Sequence, residues 1–193
     1  MRPMGLVLAV VVLSDLRQVE AQAVEQVPPR KEAVVSGVLM VPHGDFRRAL
    51  GTVGYGGGFH GGVAIGSSPV SVGVDSHLLF YELQSGRDHE MILTAHGLLR
   101  LIRRTPSRRP YAEALVGIKG FSIEPTRIGT TSYGVGGGMQ LPLKRRDSAG
   151  GRDEQFVEIG VRYTRGGGAR VDYERFTSTS RSVMVYVGSG RRY

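Results

Sequence analysis

A chain of 193 residues without cysteine has no disulfide or thiolate-metal chemistry open to it. No run approaches the ~20 apolar residues of a membrane-spanning helix, so a membrane-embedded form has to be a barrel. The net charge of +8 raises nucleic acid as a partner, but the densest basic clusters, Arg103/Arg104/Arg108/Arg109 and Lys144/Arg145/Arg146, fall between candidate strands rather than along one face. That placement argues against nucleic acid and fits solvated turns able to meet acidic lipid headgroups.

Taken in chain order, residues 1–23 read as a secretory signal peptide. Arg2 gives a positive start, Gly5 to Leu13 an apolar stretch, and Ala21-Gln22-Ala23 a small-x-small cleavage site. Residues 24–31, with Pro28 and Pro29, form a polar lead. Ala33 to Val41 is a first apolar run, apolar on both parities, closed by the turn signal Pro42-His43-Gly44-Asp45. From Thr52 to Gly66, Val53, Tyr55, Phe59, Val63 and Ile65 share one parity, and glycines with His60 fill the other.

Ser67-Ser68-Pro69 turns the chain into Val70 to Leu83, where Val70, Val72, Val74, Leu78 and Phe80 alternate with Ser71, Gly73, Asp75, His77 and Tyr81. Its partner, His89 to Arg104, sets Met91, Leu93, Ala95, Gly97, Leu99 and Leu101 against Glu90, Thr94, His96 and Arg100; Leu98 and Ile102 break the pattern. Both runs exceed the usual ~5–6 residues of a soluble strand and match the ~9–11 a tilted strand needs to cross a bilayer. Helical spacing of Ile92, Ala95, Leu99 and Ile102 offers a rival reading as a basic amphipathic helix. Gly97 in its middle and the missing N-cap favour strand.

Further runs follow over Tyr111 to Ile123, Thr131 to Leu143, Gln155 to Arg165 and Arg181 to Gly190. On their polar parity lie Glu113, Lys119, Glu158 and Arg162. The expected fold is therefore all-β: an eight-stranded antiparallel up-and-down transmembrane barrel occupying 32–193. Glycine, 29 of 193, is about twice its usual ~7% share. It suits strands that curve sharply around a narrow lumen. With the N-terminus in the periplasm, the connections at 42–51, 84–88, 124–130 and 166–180 are expected outside the cell, and those at 67–69, 105–109 and 144–154 in the periplasm.

Turn positions give two testable registers. A Ser67-Ser68 turn sets Val63 against Val72 outside and His60 against Asp75 inside. A turn centred between Pro106 and Ser107 sets Leu99 against Ala114 and Leu101 against Ala112 on the lipid face, with Arg100 against Glu113 inside. Opposite charges face to face are what a packed lumen needs, because an unpartnered buried charge costs several kcal/mol. The expected lumen network comprises His60, Asp75, His77, His96, Arg100, Glu113, Lys119, Glu158 and Arg162.

Motifs for chemistry are weak. Gly56-x-Gly58-x-x-Gly61 spells a dinucleotide fingerprint but opens no helix, and His89-Glu90 lacks the second histidine of a zinc-protease helix. No cofactor and no metal is expected. Ser76 and His77, with Asp75 or Glu82 nearby, supply hydrolase residue types, but adjacent strand residues point to opposite faces.

The strands as laid out resemble the bacterial outer-membrane β-barrel domain family, the small OmpA/OmpX-type barrels. The resemblance rests on Pro42-His43-Gly44-Asp45-Phe46, Gly54-Tyr55-Gly56-Gly57-Gly58-Phe59, Arg109-Pro110-Tyr111, Gly134-Val135-Gly136-Gly137-Gly138 and Phe156-Val157-Glu158. It implies a monomer in the cell outer membrane, surrounded by outer-membrane lipids, with a structural or surface-interaction role and no catalysis. It also implies that the barrel-insertion machinery reads the last strand through its terminal aromatic; Tyr193 stands in that place, behind Ser189, Gly190, Arg191 and Arg192, which interrupt the apolar alternation. Loop residues Arg47, Arg48, Arg170, Asp172, Tyr173 and Arg175 are the candidate external contacts. Eight strands leave room for side chains only, so a diffusion porin is not expected. The alternatives are a lipid-modifying outer-membrane enzyme and a soluble secreted barrel that binds a small ligand; the latter needs a polar exterior and an apolar interior.

Overall fold

The computed structural model describes residues 30–44, 46–47, 53–82, 89–103, 105, 107–123, 126–148, 151–168 and 179–193. The expected signal peptide therefore lies outside the described residues, as does nearly all of the lead. Eight strands follow one another: β1 (Lys31–His43), β2 (Gly54–Ala64), β3 (Val70–Glu82), β4 (His89–Ile102), β5 (Arg109–Ile123), β6 (Thr126–Ser148), β7 (Gly151–Gly168) and β8 (Thr179–Arg192). Each pairs antiparallel with the next, and β1 also pairs with β8, so the sheet closes and no strand edge is left open. Closure is tied where β1 begins and β8 runs out: Lys31 and Tyr193 exchange two backbone hydrogen bonds of 3.0 Å.

Both registers expected from the turns are observed: Val63 pairs with Val72, His60 with Asp75, Leu99 with Ala114 and Arg100 with Glu113. The β2–β3 turn is pinned locally. Gly66 takes φ +56, a left-handed conformation cheap only for glycine. Ser68 donates its hydroxyl to the Ile65 carbonyl at 2.6 Å and its backbone N–H to the same oxygen at 3.1 Å.

Two expectations about length need correction. The connection expected at 144–154 is a tight hairpin, since β6 and β7 stay paired as far as Ser148 opposite Gly151. Likewise β5 and β6 pair out to Ile123 opposite Thr126, shortening the connection expected at 124–130. Lys144 to Ser148 and Gly151 to Glu154 hold no apolar residue and Thr126 to Thr130 hold a single one, Ile128, so neither stretch carries an apolar alternation to read. The extended ladder is irregular between Pro142 and Lys144. Proline has no N–H for the ladder, and a bulge is the usual accommodation.

The parity of β1 is also fixed. Val34, Val38 and Met40 are buried inside, while Val35 and Leu39 are exposed outside. Its double-sided apolarity reflects a lumen that is itself apolar over part of its height. Met40, Leu79, Tyr81, Ile92, Phe121 and Met184 gather there. Leu98 and Ile102, the exceptions in β4, point inward and are buried too.

Candidate functional site

The site is the lumen. Room for it comes from inward-facing glycines that leave space for inward-facing rings. A Cβ on Gly160 would collide with the Tyr186 and Tyr111 rings, and one on Gly58 with His77. Into this space the polar parity of the strands delivers charge. Arg100, Arg162, Asp75, Glu113, Glu158, Lys119, His60, His77 and His96 are all buried there. Each has the inward orientation expected from its parity.

Arg100 is the hub. Its Nη2 donates to Glu113 Oε2 at 2.8 Å and to Glu158 Oε1 at 3.1 Å, and its Nη1 donates to Glu158 Oε2 at 3.0 Å and Glu32 Oε1 at 3.2 Å. The guanidinium also lies over the Tyr111 ring, 4.2 Å from its centroid. Arg162 is the second hub, donating to Glu113 through Nε and to Asp75 Oδ1 at 2.6 Å through Nη1. It stacks over Tyr186 at 4.4 Å. The Tyr111 and Tyr186 hydroxyls lie 2.5 Å apart and 3.1 Å from Glu158 and Glu113 respectively; with one hydrogen each, they donate two of these three contacts at a time. Arginine's planar fork suits this shared, several-carboxylate geometry better than lysine would.

The histidines sit at the margin of this network. His60 is opposite Asp75 in register, but its Nε2 reaches Glu158 Oε1 at 3.2 Å, in a contact without hydrogen-bond angles. Asp75 Oδ2 instead lies 3.1 Å from His77 Nδ1 and 3.5 Å from His96 Nδ1. His96 Nε2 and Ser132 Oγ are 3.1 Å apart. Ser132, His96 and Asp75 thus succeed one another as in a hydrolase triad, but the serine is 1% exposed and the His96 Nδ1 makes no hydrogen bond. The arrangement braces β3, β4 and β6. Ser76, the serine singled out beside His77, is on the outer face.

The two ends of the lumen differ. At the end carrying the chain termini, charge continues to the mouth: Arg192 donates to Glu32 Oε2 at 2.8 Å and to Gln140 Oε1 at 2.6 Å, and Arg109 forks onto Glu154 with two bonds of 2.8 Å. At the far end, Gly44 (φ +63) turns the chain after β1 and Phe46 folds into the mouth. Its ring packs 5.8 Å from Phe121 and 6.5 Å from Tyr81. Lys119 lies beneath, its Nζ 4.9 Å from the Phe46 centroid and 3.3 Å from Ser182 Oγ, with no carboxylate partner among the described residues.

Sequence reasoning missed Glu32, Gln140, Arg192, Tyr111 and Tyr186 as members of the network. Their inward parity was the available signal. Of the candidate loop contacts, Arg47 is exposed on the turn after β1; Arg48, Arg170, Asp172, Tyr173 and Arg175 lie outside the described residues. Among the described residues no group of three histidine or acidic side chains is placed to hold a metal ion.

No protein-family model and no curated protein sequence matches the chain. Among solved structures it is similar to Neisserial surface protein A, with 13% identity and a TM-score of 0.53 over 85% of this chain and 95% of that one. It is also similar to Ail, the attachment invasion locus protein of Yersinia pestis, in complex with the heparin analogue sucrose octasulfate, with 11% identity and a TM-score of 0.52 over 86% of this chain and 100% of that one. At such identities the likeness establishes the fold, that of the small eight-stranded outer-membrane barrels.

Proposed function

We propose that the chain is an integral protein of a bacterial outer membrane, without enzymatic activity, whose plugged barrel carries a structural or surface-interaction role through its loops. The observation that carries this is the inversion of its two faces. The exterior displays Val35, Leu39, Phe59, Val74, Leu93, Val116, Val135 and Val187, all more than a third exposed, while the charges are inside. A soluble barrel with a ligand cavity needs the opposite arrangement, and apolar patches on soluble monomers rarely exceed a few hundred Å².

The apolar band also has the right height. On β8 the outward residues Val183, Val185, Val187 and Ser189 are bounded by Arg181 and Arg191, ten positions apart. At ~3.3 Å per residue and a tilt of ~35–45° that is roughly 23–27 Å, against the ~25 Å apolar band of outer-membrane barrels. On this reading residues 1–23 are the export signal, 24–31 the periplasmic lead, and the chain-terminus end faces the periplasm. The mouth closed by Phe46 then faces outward, beside the loops with Arg47, Arg48, Arg170, Asp172, Tyr173 and Arg175.

Gel mobility with and without boiling, on protein from an outer-membrane fraction, tests the proposal. A closed barrel resists detergent unfolding until heated, so a band that shifts only on boiling is expected. Recovery in the soluble fraction with no shift would overturn it.

A further inference from the structure

The outward rows of side chains can be followed across β6, β7, β8 and β1 from the register. Toward the Phe46 end one outward row is Tyr133, Arg165, Arg181 and His43, each directly opposite the next. The row below it is Val135, Tyr163, Val183 and Val41, and from there to Arg191 no outward residue of β8 is charged. Two arginines and an imidazole therefore stand side by side where the apolar band ends. Like charges directly across a strand pair destabilise it. Neither arginine has an ion-pair partner among the described residues, and no carboxylate shares their row.

The opposite boundary of the same wall is built differently. There Arg191 donates to Asp153 at 2.8 Å and lies 5.9 Å from the Tyr193 ring. At that boundary the wall supplies a counter-charge; among the described residues the Phe46 end offers its cationic row none, and Tyr133 and Tyr163 stand beside and beneath it, each more than 40% exposed. Tyrosines at that depth are the usual markers of a headgroup boundary.

We propose that Arg165, Arg181 and His43 form a binding site for the phosphorylated headgroup of an outer-leaflet lipid, with the acyl chains lying along Tyr163, Val183 and Val41. This rests on the membrane reading above. The two guanidinium groups supply permanent charge and forked donors for phosphate oxygens, and the imidazole adds a further hydrogen-bonding group. A lipid rather than a dissolved anion is indicated because the row is continuous with the apolar wall, so one molecule can satisfy both.

The test uses the full barrel in neutral detergent, titrated with a bisphosphorylated glycolipid and followed by native mass spectrometry and ³¹P line broadening. At roughly fivefold per surface arginine, Arg165→Gln with Arg181→Gln is expected to weaken binding about twentyfold to thirtyfold. Arg165→Lys with Arg181→Lys should retain most of it, and Arg191→Gln should change little. Equal binding by the double glutamine variant, or by the same glycolipid stripped of phosphate, would overturn the site. Inorganic phosphate binding as tightly as the lipid would overturn the lipid as occupant. The boiling shift is recorded on every sample: a shifting barrel that ignores the lipid refutes this site alone, whereas a protein that never shifts refutes the membrane reading. Should the double variant fail to shift, Arg181→Gln alone decides, with about a fivefold loss expected.

Discussion

Removing Arg100 probes how the lumen is held. Arg100→Met deletes the bonds to Glu113, Glu158 and Glu32 together, but the three carboxylates are not left alike. Glu113 keeps Arg162, and Glu32 keeps Arg192 at 2.8 Å. Among the described residues Glu158 keeps Gln140 at 2.8 Å, the Tyr111 hydroxyl at 3.1 Å and the His60 contact, with no permanent cation. One buried carboxylate is stranded, and the expected loss is about 3–5 kcal/mol. Glu158→Gln alone leaves Arg100 with two other carboxylates and should cost about 1–3 kcal/mol. In the double variant no anion is stranded, so its cost should fall short of the sum by about 2–3 kcal/mol. Urea unfolding from lipid vesicles, read as the fraction keeping the unboiled gel mobility, measures all four corners of the cycle. Additivity within about 0.5 kcal/mol would refute the account, because it would mean that Glu158 is charge-compensated from elsewhere.

Three further outcomes are expected. Val187→Arg places a cation at mid-height of the outer wall, where the native side chain is 54% exposed; unfolding from a bilayer should show a loss of about 2–4 kcal/mol, and no loss would contradict a lipid-facing wall. Lys119→Met replaces a buried cation with no carboxylate partner among the described residues by an isosteric apolar chain, so urea unfolding should show no loss or a gain of about 1–2 kcal/mol, and a clear loss would reveal a further anion near Ser182. Gly160→Val should abolish the boiling shift by driving into Tyr186 and Tyr111, whereas Gly37→Ala, with nothing within 4 Å of the added methyl, should keep it.

How far the sequence could be read depended on whether a residue faces lipid. Alternation in β3 and β4 is legible because their outward face is apolar and their inward face polar, and two tight turns then set the registers that bring Arg100 to Glu113 and His60 to Asp75. Beyond the apolar band of the wall that alternation lapses: Lys144 to Ser148 and Gly151 to Glu154 form ladder without any apolar parity. At the end of β8 the apparent break is regular alternation of another kind. Ser189 and Arg191 face out; Gly190 faces in and leaves room for the Phe156 ring; Arg192 faces in and reaches Glu32. Register names the residue next door but not the one across the lumen, which is why His60 was matched to Asp75 and meets Glu158 instead.

That distinction bears on what the buried charges contribute. Buried ion pairs seldom stabilise a fold more than apolar packing of the same volume would. Here, however, although Arg100–Glu113 and Arg192–Glu32 join neighbouring strands, Arg100 to Glu158 joins β4 to β7, Arg100 to Glu32 joins β4 to β1, and Arg162 to Asp75 joins β7 to β3. A strand slipped by one residue turns its charges into lipid. A slip by two keeps every parity and satisfies the wall, so apolar packing against lipid cannot reject it. What a two-residue slip does break is the set of bonds that cross the lumen, each tied to partners on strands that did not move. The network is therefore best placed to select one closure of the barrel among alternatives that the bilayer treats alike.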